Sequence, residues 1–295
     1  MLKKNTWMSL LCALFILVSL LGPTMAVEEN ITLSEENDSA TATINEFEFV
    51  SNLSKQSEKS LKISGFSDDD IKIIKNYDNE FKKHIKLINE TYSDDELIGF
   101  GYTKNEVELI RNFDSSAKTS ADLAANMTVK FTILEPLKYN SSKNETTIKV
   151  KYEYQWTRLP VWAFTDSFAL GWNDINLGPN TSIHTYGYSP VTINYYKGST
   201  LTKSVSGSSS VDGFYGTKYQ FPMQISSAPQ SHAMNGIGTV SLKRQGDVSD
   251  VRFHIYYVHS KAVLTYSFTI GALGISFSTG GNGVDSNGWE FRVSK

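Results

Sequence analysis

A single cysteine, Cys12, is present in 295 residues, and it sits inside the first apolar run. The rest of the chain therefore has no disulfide framework, no thiol nucleophile and no thiolate metal site, and it must stay folded by packing alone. Long apolar runs are equally scarce. After residue 26 none approaches the ~20 residues that a membrane-spanning helix needs. Neither HExxH nor Gly-x-Ser-x-Gly occurs, which removes the commonest zinc-peptidase and serine-hydrolase signatures. The formal net charge is only -3, and nothing in the pattern resembles a nucleic-acid reader.

The first 26 residues have their own logic. Lys3 and Lys4 precede an uncharged apolar stretch from Leu10 to Leu21, and Thr24 and Ala26 place small residues at the -3 and -1 positions of a cleavage site. This is the pattern of a secretory signal peptide, residues 1–26, with a mature chain beginning near Val27. Cleavage at Cys12 would leave most of the apolar run behind, which argues against lipoprotein processing. The expected location is extracellular. Asn-x-Ser/Thr sequons at Asn30, Asn89, Asn140 and elsewhere are weak signals in a chain so rich in Asn, Ser and Thr.

The small net charge conceals an uneven distribution. Residues 27–124 carry 21 acidic against 11 basic side chains, whereas residues 125–295 carry 10 acidic against 15 basic. A basic second half suits an anionic partner such as a polysaccharide, a lipid surface or the chain's own acidic half.

Residues 27–60 are polar and acidic, interrupted by Ile44, Phe47, Phe49 and Val50, and are expected to form a disordered leader with at most one strand or docking segment. Residues 61–118 change character and contain a repeat: Gly65-Phe66-Ser67-Asp68-Asp69-Asp70-Ile71 is echoed by Gly101-Tyr102-Thr103-Lys104-Asn105-Glu106-Val107, with a partial copy from Tyr92 to Leu97. Each copy spells a helix start. Ser67, Ser93 and Thr103 are N-cap residues, Asp70, Glu96 and Glu106 stand where a capping box needs its acid, and the preceding aromatic is placed to staple onto the first turn. Ile71, Ile74, Phe81, Ile85 and Ile88 recur at helical spacing and predict one long amphipathic helix. A small helical domain is the expectation.

From Met127 the period falls to two. Ile148, Val150, Tyr152, Tyr154 and Trp156 alternate with Lys149, Lys151, Glu153 and Gln155, and similar runs recur to Val293. Val240 and Leu242, the turn Arg244-Gln245-Gly246-Asp247, and Val251, Phe253 and Ile255 read as a hairpin. Eight to ten short strands with turn residues between them predict a mainly β fold, an antiparallel β-sandwich or barrel over residues 125–295.

The chemistry is less legible. The stretch Trp156–Asp174 gathers Trp156, Arg158, Trp162, Phe164, Trp172, Asn173 and Asp174. Aromatic faces beside amides, carboxylates and a guanidinium suit a sugar ring, so Arg158, Trp162, Trp172, Asn173 and Asp174 are the candidate ligand-binding residues, with Trp172-Asn173-Asp174 the exposed part. The same aromatics serve equally as sandwich core. Asn282, Asp285 and Asn287 in the Gly280–Gly288 segment are a weak calcium candidate, since one carboxylate makes a poor calcium site. A hydrolase would need His232 or His259 with Asp166, Asp174 or Asp285. Two small-residue-rich, alternating segments, Ser199–Val211 and Leu264–Phe277, resemble what a membrane-inserting β-hairpin needs, although the first alternates sparsely and offers too few apolar residues for a strand of roughly 9–11 positions. The leading expectation is a secreted, non-enzymatic protein whose β domain contacts a carbohydrate or an anionic cell surface. A membrane-active protein restrained by its acidic N-terminal segment stands beside it.

Overall fold

The computed structural model describes residues 30–33, 38–63, 68–161, 165–173, 184–188, 190–207, 210–212, 216–225, 228–260, 266–271, 274–279 and 283–295. The expected signal peptide, the first repeat's cap at Ser67, Trp162, Asp174 and Asn282 lie outside them.

Two sheets carry the β region. The first has the order β1 (Asn30–Leu33), β16 (Gly283–Ser294), β13 (Asp250–Ser260), β5 (Thr165–Asn173), β10 (Gly216–Pro222) and β9 (Ser210–Asp212). Only β1 and β16 are parallel in it. The second has the order β2 (Ser39–Asn45), β3 (Asn126–Asn140), β4 (Glu145–Trp156), β12 (Ala228–Gln245), β7 (Val191–Lys197) and β8 (Thr200–Gly207). Two short strands, β6 (His184–Tyr188) and β11 (Gln224–Ile225), also pair with β12. A separate hairpin joins β14 (Tyr266–Gly271) to β15 (Gly274–Thr279).

Alternation explains why the sheets face each other. Val129 and Phe131 of β3 and Ile148, Val150, Tyr152, Tyr154 and Trp156 of β4 are buried, while the intervening residues are half-buried or exposed. They meet the buried set of the first sheet: Phe131 lies 4.9 Å from Phe253 and stacks on Phe291 at 5.0 Å, and Tyr154 packs on Phe168, Phe221 and Tyr257. The fold is mainly β, two antiparallel sheets packed on one aromatic core, as the period of two predicts.

Seven helices precede β3 among the described residues: α1 (Glu46–Ser54), α2 (Glu58–Ile63), α3 (Asp68–Lys75), α4 (Tyr77–Thr91), α5 (Asp94–Gly99), α6 (Lys104–Arg111) and α7 (Ala117–Leu123). The capping boxes Ser93–Glu96 and Thr103–Glu106 form as the repeat predicts. The aromatics before them, Tyr92 and Tyr102, are buried with Leu97 and Val107.

Four expectations need correction. The long helix is two, α3 and α4, divided at Asn76, whose φ and ψ of -100° and 7° leave the helical region. Residues 38–60 are not a disordered leader. Pairing of β2 with β3 and burial of Phe47, Val50 and Leu53 order them, and Phe47 packs edge-on against Phe81 at 5.1 Å. The helical part does not end at residue 118: α7 runs on to Leu123, and Leu123, Ala124 and Ala125 are buried. Finally, β12 and β13 form no hairpin. Both edges of β12 are taken, by β4 on one side and β7 and β6 on the other, so Arg244–Asp247 carries the chain from one sheet to the other.

Candidate functional site

The β14–β15 hairpin is the element with the clearest chemical segregation. Its register pairs Tyr266 with Thr279, Phe268 with Phe277 and Ile270 with Ile275, and pairs Ser267 with Ser278 and Thr269 with Ser276. Directly opposed residues share a face and neighbours alternate. By register, one face of the hairpin is therefore aromatic and aliphatic, relieved only by Thr279, and the other carries only Ser, Thr and the Gly271–Gly274 pair. From Ala262 to Val284 the sequence has no charged residue and no histidine. The hairpin lies between β13 and β16 in the chain, strands that pair as far as Ser260 opposite Gly283.

Its position on the molecule is set by β5, against which β15 packs. Strands of a two-layer sandwich ordinarily keep one face solvated. On β5 both faces are closed: Phe168, Leu170 and Trp172 face the core, while the alternate residues Ser167 and Ala169 are 0% exposed and Gly171 is buried. His254 on β13, the register partner of Gly171, belongs to the same outer face and keeps only 15% of its side chain exposed. Burial, helped by the charge of Arg252, lowers its pKa to about 4. Arg252 in turn pairs with Glu290 at 2.9 Å, and Glu290 stands 3.8 Å from the His254 Nδ1. Near neutral pH the imidazole is uncharged beneath a small-residue seat.

The candidate ligand residues do not converge on an open site. Trp172 is 2% exposed in the middle of the first sheet, opposite Phe253, which corrects its reading as a surface aromatic. The cause is register: it shares the inward face of β5 with Phe168 and Leu170. Asn173 ends β5 opposite Arg252. Arg158 is occupied by the fold. It pairs with Glu106, donates to the carbonyls of Asp122 and Ala124, and stands 5.5 Å over the Tyr102 ring, so it clamps α6 and α7 to the end of β4. Asp285 and Asn287 belong to β16, not to a loop, because the ladder with β13 continues past them. Among the described residues no three His, Cys, Asp or Glu side chains are grouped as a metal site.

Nor does a hydrolytic constellation assemble from His232 and Asp166. The His232 Nε2 lies 2.9 Å from the Tyr92 hydroxyl and 3.0 Å from the Gln224 amide nitrogen. Asp166 instead accepts from the Tyr257 hydroxyl, which itself receives a bond from the Trp156 indole at 2.9 Å. Burial and the nearby Asp166 carboxylate push the Tyr257 pKa far up, fixing it as a neutral donor in the core.

A second feature was invisible in the sequence. A cleft of about 260 Å³ opens where the end of α5 and the β7–β8 turn rise over the second sheet, lined by Gln155, Trp156, Tyr196, Met234 and Asn235 among others. Its residues come from four separate segments, so no linear motif announces it.

No family model matches the chain, and no curated protein does. Among solved structures it is similar to a protein described as a pore forming protein, with 9% identity and a TM-score of 0.32 over 58% of this chain and 87% of the other. It is also similar to the membrane-inserted form of the Clostridium perfringens NetB toxin, with 9% identity and a TM-score of 0.26 over 57% and 91%. A third similarity is to the KRT10-binding region domain of the pneumococcal serine rich repeat protein PsrP, with 10% identity and a TM-score of 0.23 over 45% and 77%. Likenesses of this size carry no argument about function.

Proposed function

We propose that this is an exported, membrane-active protein whose β14–β15 hairpin leaves its seat on β5 and inserts into a lipid bilayer. The observation that carries the reading is the register of the hairpin, which sorts Tyr266, Phe268, Ile270, Ile275 and Phe277 from Ser267, Thr269, Ser276 and Ser278. A spanning strand needs roughly 9–11 residues with one face for lipid and one for water. The uncharged segment supplies that length on each arm, Ala262–Ala272 and Leu273–Gly283. Burying each large apolar side chain in hydrocarbon contributes about 1.5–3 kcal/mol.

One hairpin is not a finished membrane structure. Its two edges would leave backbone N–H and C=O groups unpaired in hydrocarbon, where each costs several kcal/mol. Closure of several hairpins into a barrel removes the edges, so insertion is coupled to assembly, with the Ser and Thr face lining water. The excess of basic residues over 125–295 favours approach to anionic lipid. The proposal rests on this hairpin and not on Ser199–Val211, whose strands β8 and β9 lie at the edges of different sheets.

The test is dye release from vesicles of phosphatidylcholine with phosphatidylserine, comparing the wild type with a Phe268→Glu/Phe277→Glu double variant of unchanged far-ultraviolet circular dichroism. Release by the wild type, with detergent-resistant oligomers, and its loss in the variant are expected. A silent wild type, or release indifferent to the two glutamates, would overturn the reading.

A further inference from the structure

The second sheet carries a row of side chains that the hairpin reading leaves unused. Register places Thr43 of β2 opposite Thr128 of β3, Thr128 opposite Gln155 of β4, Gln155 opposite Asn235 of β12, Asn235 opposite Asn194 of β7, and Asn194 opposite Ser204 of β8. A single rung thus crosses all six strands of the path and holds only neutral hydrogen-bonding groups. It lies on the outer face, because the flanking residues Met127, Val129, Tyr154 and Trp156 are the buried ones.

The rung is wired in one direction. The Ser204 hydroxyl donates to the Asn194 Oδ1 at 2.7 Å, and the Asn194 Nδ2 donates to the Asn235 Oδ1 at 2.8 Å. That fixes the Asn235 amide with its Nδ2 left as a donor. Among the described residues neither this Nδ2 nor the amide of the exposed Gln155 has a partner. The two amides form part of the floor of the 260 Å³ cleft, and Tyr196, half-buried, forms part of its wall.

We infer that this rung and cleft bind a neutral glycan, one ring entering the cleft against Tyr196 and the chain following the rung. Amides and hydroxyls satisfy sugar hydroxyls without the desolvation penalty of a charge, and an aromatic wall covers the C–H face of a pyranose. A cleft of this volume is small for a drug-sized ligand and suits a single ring. Successive strands repeat the polar groups every ~4.8 Å, close to the span of one sugar residue. This site is separate from the hairpin and does not depend on its role.

The experiment is binding of the full protein to immobilised cellohexaose, maltohexaose, N-acetylchitohexaose and a galactose-terminated hexasaccharide, with sialyllactose as the charged comparison. At least one neutral probe is expected to bind with little salt dependence. Gln155→Ala and Asn235→Ala should each weaken it about tenfold, the worth of one well-placed hydrogen bond. Tyr196→Ala should weaken it as well, and Phe268→Glu/Phe277→Glu should leave it intact. Failure of every neutral probe, binding unmoved by both amide variants, or binding abolished by raised salt would each overturn the inference.

Discussion

Among the described residues, His232 is a buried side chain through which acid acts on the fold. It is 5% exposed, stands edge-on to Phe100 at 5.6 Å, and joins β12 to the helices through Tyr92. The Gln224 amide nitrogen is a donor only, so the His232 Nε2 accepts and a proton there would confront it. Burial, followed by the charge of His84, lowers the pKa from 6.5 to about 3. Between those values the unfolded chain binds more protons than the folded one, so stability falls as pH drops from about 6.5 and stops falling near 3. A shift of this size is worth on the order of 5 kcal/mol. Thermal unfolding of His232→Phe should show a shallower acid slope, the remainder owed in part to His254. An unchanged slope would remove His232 from this role. Arg158 and Trp172 teach the complementary point: their residue types suited a sugar site, yet one is consumed as a clamp and the other as core.

At the scale of elements, the helix starts were readable and their docking was not. A capping box is a local contract between residues three apart, so Ser93–Glu96 and Thr103–Glu106 needed no tertiary information. The docking of α5 rests on glycines that nothing local singles out. A Cβ on Gly99 would stand 2.6 Å from the Ser199 nitrogen and 2.9 Å from the Gly198 Cα, and one on Gly101, at φ 98°, would meet the Thr157 carbonyl at 2.1 Å. The ion pair Glu96–Lys197 at 3.2 Å bridges the same contact. Gly99→Ala should gain up to about 1 kcal/mol of helix propensity and still destabilise the protein by about 1–3 kcal/mol, because the backbones must part. Denaturant unfolding measures it, and a neutral or stabilised variant would refute the close approach.

For the whole molecule, the hairpin and the sandwich divide the work. The sandwich core draws on β3, β4, β5, β13 and β16. Replacing residues 261–282 with a two-residue Asn-Gly turn should leave a folded protein, since Ser260 and Gly283 are already register partners and Asn-Gly suits a tight hairpin. The shortened protein should keep glycan binding and lose vesicle leakage. Leakage that persists after the replacement would place the membrane activity elsewhere.

Sequence alone determined what depends on neighbours a few residues apart: the two capping boxes, the switch from helical to alternating period near Met127, and the uncharged alternation of Leu264–Phe277. Tertiary structure decided what depends on which strand lies beside which. It split the Val240–Ile255 stretch between two sheets, turned Trp172 inward, closed β5 on both faces, and brought Thr43, Gln155, Asn235 and Ser204 into one rung. The physical reason is that a period of two says which residues share a face of one strand, while register and strand order arise from packing between segments far apart in the chain.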